Sequence, residues 1–64
     1  MNRRELEQHL TSNGCSLHHH GAKHDIWRNS KSGAKCPVPR HRTAKNGIVR
    51  GVCRKLDIPL PEGF

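Results

Sequence analysis

Apolar residues recur along the chain at spacings that first fit a helix, then strands, and then a second helix. Leu6 is followed four positions later by another leucine, which places both on one helical face. Asn2 and Glu5 are spaced as a capping box at the start of this helix, and Gly14 is suited to end it. The pattern predicts a first helix from Asn2 to Asn13, whose narrow apolar face packs on other elements.

Three short segments after this helix have the composition of β-strands. We expect the strands at Cys15–His20, His24–Asn29 and Ala34–Val38. Two turns connect them, at Gly21–Lys23 and at Ser30–Gly33, and the glycine that ends the second turn suits a positive φ.

The first predicted strand alternates, with Cys15, Leu17 and His19 on one face and the residues between them on the other. Its last three residues, His18–His20, are all histidines. Because consecutive strand residues point to opposite faces, at most two of these can bind one metal ion, and no nearby carboxylate or cysteine completes a ligand set. We therefore interpret the run as a polar, half-exposed strand.

The loop between the second and third strands sets their register. A loop of four residues pairs Trp27 with Cys36 and Asp25 with Val38, which places all four on the core side of the sheet. Asp25 is the charged exception there, and we expect a basic residue such as Arg40 to pair with it. The opposite face of this hairpin is left open and carries His24, Ile26, Lys35 and Pro37.

A second helix is predicted over Ala44–Ile58, beginning at Thr43 or at Asn46. Its apolar stripe has helical spacing and comprises Ile48, Val49, Val52, Cys53 and Leu56. Two glycines on the flank of the stripe, Gly47 and Gly51, either weaken this helix or permit its close approach to the sheet. Prolines follow the helix, so residues 59–64 are expected to form a tail without regular structure.

Together these elements predict an α+β fold of α-β-β-β-α order over one domain, residues 1–58. A three-stranded antiparallel sheet would have two helices on one face and would be open on the other. This is the arrangement of double-stranded RNA-binding domains.

Twelve Lys and Arg residues against five Asp and Glu give the chain a formal net charge of +7. Such a field suits nucleic acid, an anionic membrane surface or an acidic protein as partner. The membrane is disfavoured, because no apolar run approaches the roughly 20 residues of a span and neither helix is strongly amphipathic and basic. With no signal peptide apparent, we expect a cytoplasmic protein.

The three cysteines, Cys15, Cys36 and Cys53, are odd in number and form no Cys-x-x-Cys pair. Neither a disulfide framework nor a zinc site is indicated. We expect reduced thiols that are mostly buried.

Two segments give the chain a family resemblance. Gly21-Ala22-Lys23-His24-Asp25-Ile26-Trp27 and Pro37-Val38-Pro39-Arg40-His41, in this order and preceded by a helix ending in Asn-Gly, resemble the HicA toxins of bacterial toxin–antitoxin systems. The resemblance extends over residues 3–58. It implies a double-stranded-RNA-binding-like fold, mRNA interferase (endoribonuclease) activity, a functional histidine at His24, and inhibition by a HicB-type antitoxin.

The side chains near His24 are of the types that such chemistry needs. Histidine titrates near neutral pH and can take the proton of an RNA 2′-hydroxyl, so His24 is the candidate catalytic residue. Lys23 or Lys35 can stabilise the charge that develops on phosphorus. Arg40 and Arg42 are candidates for binding RNA phosphates.

A single histidine cannot act as both base and acid without a partner. His41 is the candidate second histidine and a candidate RNA contact, with water or a lysine as the alternative and a purely structural loop role also open. His18 or His20 can also touch RNA phosphate. Because no carboxylate cluster is present to bind magnesium, we expect cleavage without a metal or other cofactor.

A binding module from another functional class fits the same observations. The chain would then bind structured RNA through the open sheet face, or through its helix and loop, without cleaving it. Loss of cleavage with retained RNA binding on replacement of His24 would distinguish an enzyme from such a module.

Overall fold

Two helices pack on one face of a three-stranded antiparallel sheet in a computed structural model that describes residues 1–64. The elements in chain order are α1 (Arg3–Ser12), β1 (Cys15–His20), β2 (His24–Asn29), β3 (Lys35–Pro39) and α2 (Asn46–Lys55). The strands lie in the order β1-β2-β3. The predicted fold class is therefore confirmed. Neither helix is long and apolar enough to cross a membrane.

Local hydrogen bonds account for the start and end of α1. The Asn2 side chain accepts a hydrogen bond from the Glu5 backbone N–H at 2.8 Å, and the Glu5 carboxylate accepts one from the Asn2 N–H at 3.2 Å. This is the predicted capping box. Gly14, at φ +82°, follows the helix in the left-handed region that glycine enters without strain.

The register of β2 and β3 is the predicted one. Trp27 pairs with Cys36, and Asp25 pairs with Val38. The Asn29 N–H donates to the Ala34 carbonyl at 2.8 Å at the hairpin end. The hairpin loop therefore sets the register as expected, although β3 begins and ends one residue later than predicted.

Pro37 and Pro39 lie on the outer edge of β3, beyond which the sheet has no further strand. Hydrogen-bonded pairs alternate along an antiparallel ladder, so the bond from Asn29 to Ala34 directs the nitrogens of both prolines away from β2. Their lack of an N–H therefore costs the sheet nothing and blocks this edge against further pairing.

The predicted alternation of β1 is wrong beyond Leu17. Leu17 pairs with Trp27, but a register shift follows, and His19 pairs with Ile26. A β-bulge adds one residue to one strand and exchanges the faces of all later residues. His19 therefore lies on the open face, and His20 lies on the helix side of the sheet.

The core consists of residues from both helices and from the covered face of the sheet. Its buried apolar members are Leu6, Leu10, Cys15, Trp27, Cys36, Val38, Ala44, Val49, Val52, Cys53 and Leu56. The three cysteines are free and buried, as expected, and burial raises the pKa of each thiol. Trp27 is the single large ring of this core.

Helix α2 is shorter than predicted. It spans Asn46–Lys55, so only the second of the two proposed starts is correct. Ile48 belongs to the predicted apolar stripe but is 43% exposed, and a Cβ added at Gly51 would meet no atom within 4 Å. Close approach to the sheet therefore does not explain that glycine. The Asn29 amide donates to the Leu56 carbonyl at 2.7 Å and attaches the end of α2 to the sheet.

The segment 59–64 has no helix or strand, as predicted, but it is not detached from the protein. Pro61 is buried, and Phe64 packs against the core. The His9 Nε2 lies 2.8 Å from the Pro59 carbonyl oxygen. These contacts connect the last residues to α1 and to the core.

Candidate functional site

His24 is the first residue of β2, and its side chain lies on the open face of the sheet, opposite Pro39. The residue is exposed, and its ring makes no hydrogen bond within the chain. The Gly21 N–H donates to the His24 carbonyl at 2.8 Å, and a Cβ at Gly21 would lie 2.6 Å from that oxygen. Glycine is therefore required for this turn, which holds the His24 backbone and leaves the imidazole free for a ligand.

The two lysines proposed to assist His24 have different positions. Lys23 is the preceding residue and is exposed at the turn. Lys35 lies on the same open face as His24, but it pairs with Arg28 at the other end of the hairpin, whereas His24 pairs with Pro39. Four residues of β3 span about 13 Å. The two lysines therefore lie at opposite ends of the hairpin, with Lys23 beside the histidine.

Asp25, the residue after His24, is the centre of an ionic cluster on the helix side of the sheet. It is only 3% exposed. Its carboxylate lies 3.0 Å from the Arg40 Nε, 2.9 Å from the His20 Nδ1 and 3.6 Å from the Arg3 Nη2. The expected partner Arg40 is confirmed, and its Nη2 also donates to the Gly21 carbonyl. Arg40 therefore joins β2, the turn and the loop after β3.

The cluster also determines how His20 is oriented. The hydrogen bond from His20 lowers the pKa of Asp25, the positive charges of Arg40 and Arg3 lower it further, and burial opposes them. Asp25 is thus ionised and can only accept, so the Nδ1 of His20 carries the hydrogen of this bond. The imidazole side chain is 68% exposed, so the rest of the ring is accessible to solvent.

Sequence reasoning missed the contacts of His20 and Arg3 with Asp25. His20 reaches the helix side only because of the bulge in β1. Arg3 is brought to the cluster by α1, whose first residues are bonded to the loop after β3. No pattern in the local sequence signals either contact, although an unexplained aspartate on a core face does signal that cations must surround it.

The predicted RNA-binding residues gather at one end of the sheet, with one exception. At this end β1 and β3 finish and β2 begins, so Lys23, Arg40, His41 and Arg42 lie near His24 in the fold. Lys35 is the exception, at the opposite end. His41 is exposed in the loop and makes no hydrogen bond within the chain.

No group of three or more His, Cys, Asp or Glu side chains converges as a possible metal-binding set. The histidines of β1 are separated by the sheet, since His19 and His20 lie on opposite faces. What the site offers chemically is therefore imidazole, ammonium and guanidinium groups. These suit proton transfer and the stabilisation of negative charge.

A sequence model of the family described as "HicA toxin of bacterial toxin-antitoxin" matches residues 3–58 of the 64-residue chain. The match includes the turn before β2, all three strands and both helices. No curated protein and no solved structure matches the chain.

Proposed function

Since the chain belongs to the HicA family of toxins of bacterial toxin–antitoxin systems, we propose that it is an endoribonuclease that cleaves mRNA in the cytoplasm and so inhibits translation and growth. The observation that carries the proposal is the placement of His24. Its imidazole is exposed on an open sheet face, makes no bond within the chain, and begins a strand at the basic end of the sheet.

In the proposed reaction, His24 removes the proton of an RNA 2′-hydroxyl, and the resulting oxyanion attacks the adjacent phosphorus. Lys23, at the preceding position, stabilises the negative charge that develops on the phosphoryl oxygens. The bond to the 5′-oxygen of the next nucleotide then breaks, and this oxygen must receive a proton. His41 is the candidate donor, with water or a lysine as the alternative.

The reaction is proposed to need no metal ion and no small-molecule cofactor. The support is the set of side chains at this end of the sheet, which offers cations and no cluster of carboxylates. The ammonium group of Lys23 and the guanidinium groups of Arg40 and Arg42 would take the part that a bound cation plays in other nucleases.

The toxin is proposed to be neutralised by a HicB-type antitoxin, a small acidic protein that covers His24 and the loop Arg40–Arg42. Opposite charges would accelerate the encounter, given the net charge of +7. The half-buried Ile26 and the exposed Pro37 are neighbours on the open face and offer apolar surface next to His24. Burial of this surface would supply much of the affinity.

Replacement of the histidine tests the proposed activity. For His24→Ala we expect RNA cleavage to fall by roughly 10²–10⁴-fold, the range typical of general acid–base catalysis, with circular dichroism and RNA binding unchanged. His9→Ala is the control, because His9 lies in the last turn of α1 and is not among the residues proposed to contact RNA. Full cleavage by a folded His24→Ala protein would refute the assignment.

A non-catalytic RNA-binding module is the second candidate, favoured by the exposed Lys and Arg residues at this end of the sheet, which suit phosphate binding whether or not cleavage follows. In that case the wild-type chain would bind RNA and leave it intact. Cleavage and binding measured on the same RNA by the wild-type protein separate the two functions.

A further inference from the structure

Four arginines line a groove at the start of α1, next to the ionic cluster of Asp25. The groove has a volume of about 760 Å³ and no hydrophobic residue in its lining, which consists of Asn2, Arg3, Arg4, Glu7, Arg40, Arg42 and Thr43. We propose that this arginine groove binds the phosphodiester backbone of the RNA substrate beside the bond that is cleaved. This inference rests on the proposed function and adds Arg3 and Arg4 to the RNA-binding surface.

Backbone hydrogen bonds and ion pairs connect the two sides of the groove. The Arg3 N–H donates to the Arg42 carbonyl at 2.9 Å, and Asn2 forms an isolated β-bridge with Thr43. The start of α1 is thereby bonded to the loop after β3. The ionised carboxylate of Asp25 forms ion pairs with the guanidinium groups of Arg3, on α1, and of Arg40, in the loop after β3. A cation site that is held in place before the ligand arrives loses less entropy on binding.

The positive charge of the groove is only partly neutralised within the chain. Glu7 is the one acidic residue of its lining, and it pairs with Arg3 at 3.1 Å. Arg4 and Arg42 are exposed and have no carboxylate partner. In a chain with this much excess positive charge, two unpaired guanidinium groups in a concave surface form a strong site for an anion.

The arginines of α1 are also unfavourable for the helix itself. Arg3 and Arg4 occupy its first turn, where the helix dipole is positive and cations destabilise. Residues that break a local stability rule at a functional surface point to a ligand that compensates for them. A phosphate group is such a ligand, since guanidinium binds its oxygens in a bidentate geometry.

The shape and chemistry of the groove favour a nucleic-acid backbone over bases. The lining contains no aromatic ring on which a base can stack and is dominated by arginine, which suits phosphate oxygens. His24 and the groove occupy the same end of the sheet, on its open side and its helix side respectively. An RNA strand that crosses this end would present one phosphate to His24 and the adjacent phosphates to the groove. Such contacts position the substrate without selecting a sequence.

The test uses wild-type protein and single-residue variants with a single-stranded RNA that is fully 2′-O-methylated and so cannot be cleaved by 2′-hydroxyl attack. Arg4→Gln and Arg42→Gln each remove one unpaired charge from the groove. Arg50→Gln is the matched control, because Arg50 is an exposed, unpaired arginine on α2 that does not line the groove. Circular dichroism confirms that each variant is folded.

For Arg4→Gln and Arg42→Gln we expect affinity at low salt to fall by about tenfold. The slope of log K against log salt should decrease in magnitude by about 0.7 for each arginine removed, equally for different RNA sequences. Arg50→Gln should leave the slope unchanged. Equal weakening by all three variants would overturn the proposal, because net charge alone would then explain binding.

A second result would also overturn it. If Arg4→Gln and Arg42→Gln kept full RNA affinity but lost binding to an acidic antitoxin, the groove would be a protein-docking surface. Cleavage of unmodified RNA by the wild-type chain is measured in parallel. RNA binding that depends on the groove without any cleavage would support this inference while refuting the proposed enzymatic function.

Discussion

The carboxylate of Asp25 and the guanidinium Nε of Arg40 lie 3.0 Å apart and connect β2 to the loop that follows β3. Asp25 comes directly after His24, and Arg40 directly before His41 and Arg42. This pair therefore holds the basic loop in a fixed position relative to the candidate catalytic histidine, because both residues are also tied to the turn at Gly21 or to strand β1.

Asp25→Asn should destabilise the protein and weaken RNA cleavage. Asparagine preserves the shape of the side chain but removes the negative charge that faces Arg3, Arg40 and His20. We expect the Tm to fall by several degrees, a shift that is easily measured by circular dichroism for a domain of this size. Glu62→Gln, an exposed and unpaired carboxylate, is the control. A Tm equal to that of the control would show that the cluster adds nothing to stability.

The stability that Asp25 contributes should depend on pH. Its pKa in the folded protein is lowered from the ordinary value of 3.8, first by the hydrogen bond from His20 and then by Arg40 and Arg3. The contribution is therefore complete above about pH 3.8 and is lost as the pH falls through the lower folded value. Urea denaturation between about pH 5 and about pH 2 should show a smaller loss of stability for Asp25→Asn than for wild type. Parallel curves for the two proteins would contradict this origin of the acid sensitivity.

RNA cleavage should be insensitive to chelators. The basic end of the sheet has imidazole, ammonium and guanidinium groups but no converging set of metal ligands. Purified toxin that has been dialysed against EDTA should cleave at the same rate as untreated protein, and added magnesium or zinc should bring no gain. Activity that disappears in EDTA and returns with either ion would require a metal-dependent mechanism.

Association with the proposed acidic antitoxin should slow several-fold as salt rises, whereas dissociation should change less. Steering by the charge of +7 acts before contact and is screened over roughly 8 Å at physiological ionic strength. The apolar contacts expected at Ile26 and Pro37 act after contact and resist salt. Stopped-flow binding at two salt concentrations measures both rates. An association rate that does not change with salt would refute electrostatic steering. A complex that still cleaves RNA would refute occlusion of His24.

Much of the fold could be predicted because the relevant interactions are close together in sequence. The capping box joins Asn2 and Glu5, three residues apart, and positive φ is found at Gly14 and Gly33, as predicted for a helix end and a hairpin turn. A short hairpin loop sufficed to set the pairing of Trp27 with Cys36. The gathering of basic residues around His24 followed from that register.

The bulge after Leu17 could not be predicted in the same way. Alternation is the default of a strand, and a single inserted residue leaves no periodic signal in a segment of six. Its effect is large, since it moves His20 to the side of Asp25 and His19 to the open face. The orientation of the His20 side chain thus depends on one irregular step in β1.

By itself the sequence determined the order of the elements, the caps and turns, the β2–β3 register and the position of His24 at a strand start. Only the tertiary structure decided that Arg3 and His20 join Arg40 around Asp25, that the arginine groove forms, and that the last residues pack on the core. The physical reason is how far apart along the chain the interacting residues lie. Caps, turns and hairpins depend on atoms a few residues apart, whereas Arg3 and Arg42 meet only after both helices bury their apolar faces against the same side of the sheet.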